Sequence, residues 1–278
     1  MIPYIKIEKW LSPDQIKYSE YWNNIGNEDF FNIESGDFTK FENHIANHGF
    51  INDFERSVKT LSKLGKNVEG KGIELAAGSL WLTSYILKKY YNQIVEFYAL
   101  EMSESLLLNL GPKVLKHYDV NPDKLKFCIG SFYEINLPDE SLDFVVMCQA
   151  FHHADNPKKL LKELYRVLKK GGVIIMIGDI FISRLLYLKC YINYILSVIA
   201  TSRFIPKLLK KKSALLNRLS LKDLGGDFQD IYFPPHPQLG DHYHLKKQYE
   251  FFFKSNSFRF VRVKSSLNNH LSYILIKD

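Results

Sequence analysis

Five short apolar runs, at residues 72–75, 96–100, 125–129, 142–148 and 172–178, alternate with amphipathic stretches at 81–91, 103–117 and 157–168. Strands that are apolar along their whole length are buried on both faces, and parallel neighbours need a helix-length crossover between them. The pattern predicts an α/β fold built from βαβ units and excludes an all-helical bundle and an all-β sandwich. With 46% hydrophobic and 14% aromatic residues among 278, the chain has apolar material for a large core, and global disorder is excluded.

The flanks read differently. Residues 14–23 and 37–65 carry apolar side chains at helical spacing, among them Phe41, Ile45, Phe50, Phe54, Val58 and Leu61. Residues 1–68 are therefore expected to form a helical N-terminal cap on a core at 69–180. Residues 181–247 hold an apolar helix near 185–200, a basic stretch with Arg203, Lys207, Lys210, Lys211 and Lys212, and a proline-rich loop at 233–238. They are expected to form a helical lid or acceptor-binding insertion. A helix at 245–255 and two β-rich runs at 258–264 and 271–277 predict that residues 248–278 complete the sheet with an antiparallel hairpin. Lys169 and Lys170 before Gly171 predict a helix end capped by cations and glycine.

The 37 Lys+Arg against 30 Asp+Glu give a net charge of +7, which suits acidic ligands, nucleic acid or an anionic membrane surface without choosing among them. Much of the excess lies in the insertion, so contact between a basic lid and a membrane surface is one expectation. The apolar window there is interrupted by Lys189 and Asn193 and is too short to span a bilayer. Cys128, Cys148 and Cys190 form no C-x-x-C pair, which predicts a reduced cytoplasmic protein. The first residues lack the basic and apolar regions of a signal peptide, and none is expected.

Chemistry-bearing residues gather at the ends of the apolar runs. The first run passes through a loop of small residues, Ala76-Ala-Gly78, into a helix, and the second ends on Glu101. A nucleoside-bearing cofactor needs this: small side chains let backbone N–H groups approach it, and an acid at the next strand tip accepts from ribose hydroxyls.

In the order of its motifs the chain resembles the class I S-adenosylmethionine-dependent methyltransferases. Glu74-Leu-Ala-Ala-Gly-Ser79 is similar to their first loop, Glu101 to their ribose-binding acid, and residues 137–146 to the segment leading into their fourth strand. Phe151-His-His-Ala-Asp-Asn-Pro157 and Glu163-Leu-Tyr-Arg-Val-Leu-Lys-Lys-Gly-Gly172 resemble the family patterns H-H-x-x-x-P and E-x-x-R-V-L-K-P-G-G. The resemblance implies a Rossmann-like, seven-stranded, mostly parallel sheet with one reversed strand, and S-adenosylmethionine as cofactor. It places Glu74, Ala76, Gly78, Glu101, Met102, Ser131, Phe132 and Gln149 around that cofactor, with Glu74 holding the loop and Phe132 against the adenine. Ala76 and Leu80 stand where the family has glycines, and Ser131 stands for an acid that meets the adenine amino group. Alanine is expected to fit a loop without positive φ, serine still accepts a hydrogen bond, and Leu80 implies a rebuilt packing contact.

His152 and His153 fall where the family's methyl acceptor sits, and an imidazole suits removal of a hydroxyl proton. Gly240-Asp-His-Tyr-His-Leu245 resembles a segment of sugar and polysaccharide-precursor methyltransferases, in which Asp241 would orient His242. The plain alternatives are loop histidines bonded within their own segments and a polar start to a helix. A metal held by Asp241, His242 and His244 is not expected, because alternate loop residues do not supply a coordination sphere. The expected activity is O-methylation of a small or medium-sized acceptor, with a sugar or cell-envelope precursor as the leading class. The alternatives are an RNA methyltransferase and a degenerate cofactor-binding protein without catalysis. An N-P-P-Y type motif is absent after the fourth strand, so a nucleic-acid partner is not expected.

Overall fold

The computed structural model describes residues 5–12, 15–16, 20, 22–24, 31–201 and 241–278. The basic stretch and the proline-rich loop lie outside the described residues, as does most of the helix expected at 14–23.

Strands β1 (Lys6–Lys9), β2 (Gly70–Leu75), β3 (Ile94–Glu101), β4 (Leu125–Ile129), β5 (Leu142–Cys148), β6 (Leu168–Ile180), β7 (Phe258–Val263) and β8 (His270–Lys277) form one sheet in the order β1-β4-β3-β2-β5-β6-β8-β7. All neighbours pair in parallel except β8, which runs against both β6 and β7. The Rossmann-like parallel sheet and its C-terminal hairpin are as expected. The sheet has eight strands rather than seven because the N-terminal extension, expected to be helical, adds β1 beside β4. Trp10 anchors that edge through its N–H on the Ile129 carbonyl at 2.8 Å and its ring beside Tyr98.

Alternate strand residues feed two cores. Phe97, Ala99, Phe127, Val146 and Ile175 face one layer, which is covered by α1 (Thr39–His48), α2 (Phe50–Lys63), α3 (Trp81–Tyr90) and α4 (Gly111–His117). Ile73, Leu75, Tyr98, Leu100, Val145 and Met176 face the other, covered by α5 (Pro157–Val167) and the C-terminal helix that follows Leu245. Between these in chain order comes α6 (Arg184–Thr201), which leaves Leu185, Leu186 and Leu188 exposed. Among the described residues no helix is long and apolar enough to cross a membrane. The helix at the C-terminal end is α7 (Lys246–Ser255).

Two expectations about helix ends fail for tertiary reasons. The stretch 37–65 is two helices, because Gly49 at φ 67 ends α1 and opens α2. A Cβ at Gly49 would come within 2.4 Å of Ser266, so the turn also allows a loop of the C-terminal hairpin to approach. Lys169 and Lys170 do not cap a helix. The helix stops at Val167, and Leu168 turns extended to pair with Leu142 while Lys169 meets Asp143 at 2.7 Å. The last-turn cation is Arg166, which binds Glu163, Asp139 and the carbonyls of Ile135 and Leu137. That set of bonds fixes the loop entering β5.

Candidate active site

The carboxyl ends of β2, β3, β4 and β5 open on one cavity of about 520 Å³, a size common to small-molecule sites. Its first wall is the loop after β2, where Ala76, Gly78 and Leu80 have φ of 51, 52 and 70. Alanine was expected in ordinary backbone. Both non-glycine residues instead occupy the left-handed region, at roughly 1–2 kcal/mol each. The loop is held there by a local bond, Leu80 N–H on the Ala77 carbonyl at 2.9 Å, and by two bonds to β3, Ala77 N–H on the Leu100 carbonyl at 3.0 Å and Gly78 N–H on Glu101 at 2.8 Å. Leu80 is fully buried and is not on the cavity wall. It packs on Gly111, where an added Cβ would lie 2.6 Å from Leu80 Cδ1. The small residue that the loop lacks has moved to the helix it packs against.

Glu101 is the polar centre of this wall. One carboxylate oxygen accepts from the N–H groups of Met102 and Ser103 at 2.8 and 2.9 Å, and the other accepts from Gly78. A carboxylate has about four lone-pair sites, so three N–H donors leave capacity for a hydroxyl from the cavity. Burial pushes its pKa up, against the pull of those N–H groups. Glu74 lies behind the loop, off the cavity wall. It accepts from Thr83 Oγ1 at 2.5 Å at the start of α3, and burial raises its pKa to about 8. Met102, Ser131, Phe132 and Gln149 line the cavity with Ala76, Gly78 and Glu101. Ser131 Oγ accepts from the Tyr133 N–H at 3.2 Å, and Phe132 stands edge-on to Tyr133. Gln149, at φ 50, is pinned by its N–H on the Ile177 carbonyl.

The outer wall holds the histidines. The turn Phe151–His153 after β5 is fixed by Asp179 near the tip of β6, whose carboxylate accepts from Phe151 N–H, His152 N–H and His152 Nδ1, the last at 2.7 Å, and from the Tyr249 hydroxyl. Residues 241–245 are stitched beside this turn by the His242 N–H on the His152 carbonyl and the Ile182 N–H on the His244 carbonyl. Asp241 thereby lies 3.1 Å from His153 Nδ1 and 3.6 Å from His152 Nε2. It was expected to orient His242, but His242 Nε2 reaches Asp155 at 2.7 Å instead. His153 lines the cavity, whereas His152 is buried behind it. Burial disfavours a charge on His152, but Asp179 and Asp241 outweigh it and raise the pKa. Burial, helped by His242, lowers that of His244 to about 4.

Sequence reasoning missed Asp179 and Trp22. Asp179 had a readable signal, an acid at the end of an apolar run, the same pattern that singled out Glu101. Trp22 had none, because its place edge-on to His153 at 5.5 Å depends on a long-range contact.

Residues 73–176 match the methyltransferase domain family. The chain is 38% identical over 109 residues to an uncharacterized methyltransferase of Schizosaccharomyces pombe, covering 39% of this chain and 38% of that one. It is 44% identical over 50 residues to a sterol 24-C-methyltransferase of Aspergillus fumigatus, covering 18% and 13%. It thus spans well under half the length of these relatives. A solved S-adenosylmethionine-dependent methyltransferase from Aquifex aeolicus superposes with a TM-score of 0.50 at 14% identity, over 80% of this chain and 89% of that one, a likeness of fold. Residues 73–176 thus match the methyltransferase domain family, within a chain whose fold is like that of the Aquifex aeolicus protein.

Proposed function

We propose that the protein transfers the methyl group of S-adenosylmethionine to a hydroxyl of a small or medium-sized acceptor, with a sugar or cell-envelope precursor as the leading class. The observation that carries this reading is a single cavity whose inner wall is the loop tied to Glu101 and whose outer wall carries His153. Glu101 and the loop amides hold the ribose, Phe132 packs on the adenine, and Ser131 and Gln149 complete the polar contacts. Trp22, Gln15, Glu134, Asp155 and Lys159 line the same cavity. An aromatic face among hydrogen-bonding groups suits a polyhydroxylated acceptor.

In the reaction the acceptor oxygen forms the O–CH3 bond with a lone pair while the C–S bond breaks and its electrons return to sulfur. The hydroxyl proton leaves toward His153 on the cavity wall, with Asp241 3.1 Å from its Nδ1. The sulfonium carbon needs little activation, so rate comes from in-line placement, water exclusion and that deprotonation. Of the four residues singled out for catalysis, His153 meets the hydroxyl in this reading, Asp241 and His152 support it from behind, and His242 closes the segment onto Asp155.

The test is transfer of labelled methyl from S-adenosylmethionine to a panel of glycosides and nucleotide sugars. Turnover that falls at least about 100-fold in Asp241→Asn, with S-adenosylhomocysteine affinity kept, is expected for loss of a group acting on the proton. Transfer to RNA but to no hydroxylated small molecule would move the acceptor to the alternative class. Cofactor binding without transfer to any acceptor would favour the degenerate reading.

A further inference from the structure

Beside the outer wall of the cavity two segments, the turn Phe151–His153 and residues 241–245, bring three groups together. One ring nitrogen of His152, one of His153 and an Asp241 carboxylate oxygen all lie within 4.8 Å of one another. His152 is held from behind by Asp179, which accepts from its Nδ1 at 2.7 Å. That bond fixes the tautomer of a neutral His152 with the proton on Nδ1 and the lone pair on Nε2. In that neutral form Nε2 and the Asp241 carboxylate, 3.6 Å apart, can both offer a lone pair to one cation.

We propose that His152, His153 and Asp241 bind a divalent transition-metal cation beside the methyl-transfer cavity. The separations of 3.1 and 3.6 Å from Asp241 to the two imidazole nitrogens suit the edges of a coordination polyhedron, since bonds of about 2.0–2.2 Å put adjacent ligands roughly 3.0–3.5 Å apart. Two imidazoles and a carboxylate on one face select Zn2+, Fe2+ or Mn2+ over Mg2+ or Ca2+, which prefer all-oxygen shells. Asp179 supplies the carboxylate behind a ligating histidine that such sites carry. The set is not the Asp241, His242 and His244 grouping, at which no metal was expected: His242 turns to Asp155, and the nitrogens come from the turn after β5.

The inference rests on the reading of the site as O-methyl transfer. Three protein ligands leave coordination positions on the side of His153 that faces the cavity. An acceptor hydroxyl bound there would become more acidic and pass its proton to water at this wall, so that His153 and Asp241 act on the proton through the ion, while the oxygen attacks the methyl carbon and the C–S electrons return to sulfur. The metal undergoes no redox change and no further co-reactant is consumed.

The experiment is a titration of the untagged, chelator-stripped full-length chain with Co2+, which reports nitrogen ligation through its d–d absorption, alongside metal analysis of the protein as isolated. One equivalent is expected to bind with a saturating band. Asp241→Asn and His153→Gln should each weaken binding at least about 30-fold, and Asp179→Asn about 10–100-fold. S-adenosylhomocysteine binding by each variant confirms that it is folded. Absence of a stoichiometric band, or a band unchanged in both Asp241→Asn and His153→Gln, overturns the metal site. Methyl transfer that continues in the chelator-stripped protein overturns it too while leaving the proposed activity standing. Failure to bind S-adenosylhomocysteine instead strikes the cofactor reading and leaves the Co2+ result to be judged alone.

Discussion

Glu101 and Glu74 are two buried acids one strand apart with different tasks. Glu101 holds three N–H groups on the cavity wall, so Glu101→Gln turns an amide NH2 toward one of them and removes the charge a ribose would meet. S-adenosylhomocysteine affinity is expected to fall about 10–100-fold, the loss of one or two charge-assisted bonds, as read by calorimetry. Glu74 is off the cavity, and its pKa rises from 4.5 to about 8 chiefly through burial. An acid whose folded pKa is raised lends stability that is complete below its unfolded value and is lost as pH climbs through the folded one. Urea unfolding should therefore show stability falling from about pH 5 to pH 8, by at most about 1.4 kcal/mol per unit from this group. Glu74→Gln keeps an acceptor for Thr83 and should flatten that decline, and an unchanged slope would show that Glu74 is not its source.

Among the elements, the loop after β2 and the helix α4 share one packing decision. Leu80 fills the space that Gly111 leaves, so Gly111→Ala is expected to destabilise by about 1–3 kcal/mol through overpacking. In a Leu80→Ala background that cost should shrink by more than about 0.5 kcal/mol, the coupling expected of touching residues, and additive costs would show that the two do not exchange bulk. The exchange explains which parts of the fold were legible. Strands β4 and β5 were read to the residue because their apolar runs are local patterns. The break at Gly49, the extended turn at Leu168 and the pairing of β1 were not, because each answers to a distant partner: Ser266, Leu142 and β4 in turn. The cofactor wall was readable from the loop and Glu101. The pairing of Asp241 with His153 was not, since backbone bonds from His242 and Ile182 decide it.

At the scale of the whole molecule, the helices before the sheet are tied to the hairpin that ends it. Asp53 on α2 is fully buried and accepts from the N–H and hydroxyl of Ser266 and from Arg56. Asp53→Ala strands those donors and is expected to lower stability by about 2–4 kcal/mol in urea unfolding. A loss under about 0.5 kcal/mol would show that this tie contributes little. The tie closes one layer of helices over the sheet and leaves the strand tips open, which is where the account places the cofactor. The central claim is tested most directly by titrating the purified full-length protein with S-adenosylhomocysteine in a calorimeter. The account predicts one site per chain with micromolar or tighter affinity, and no binding at millimolar ligand by a folded protein would contradict it.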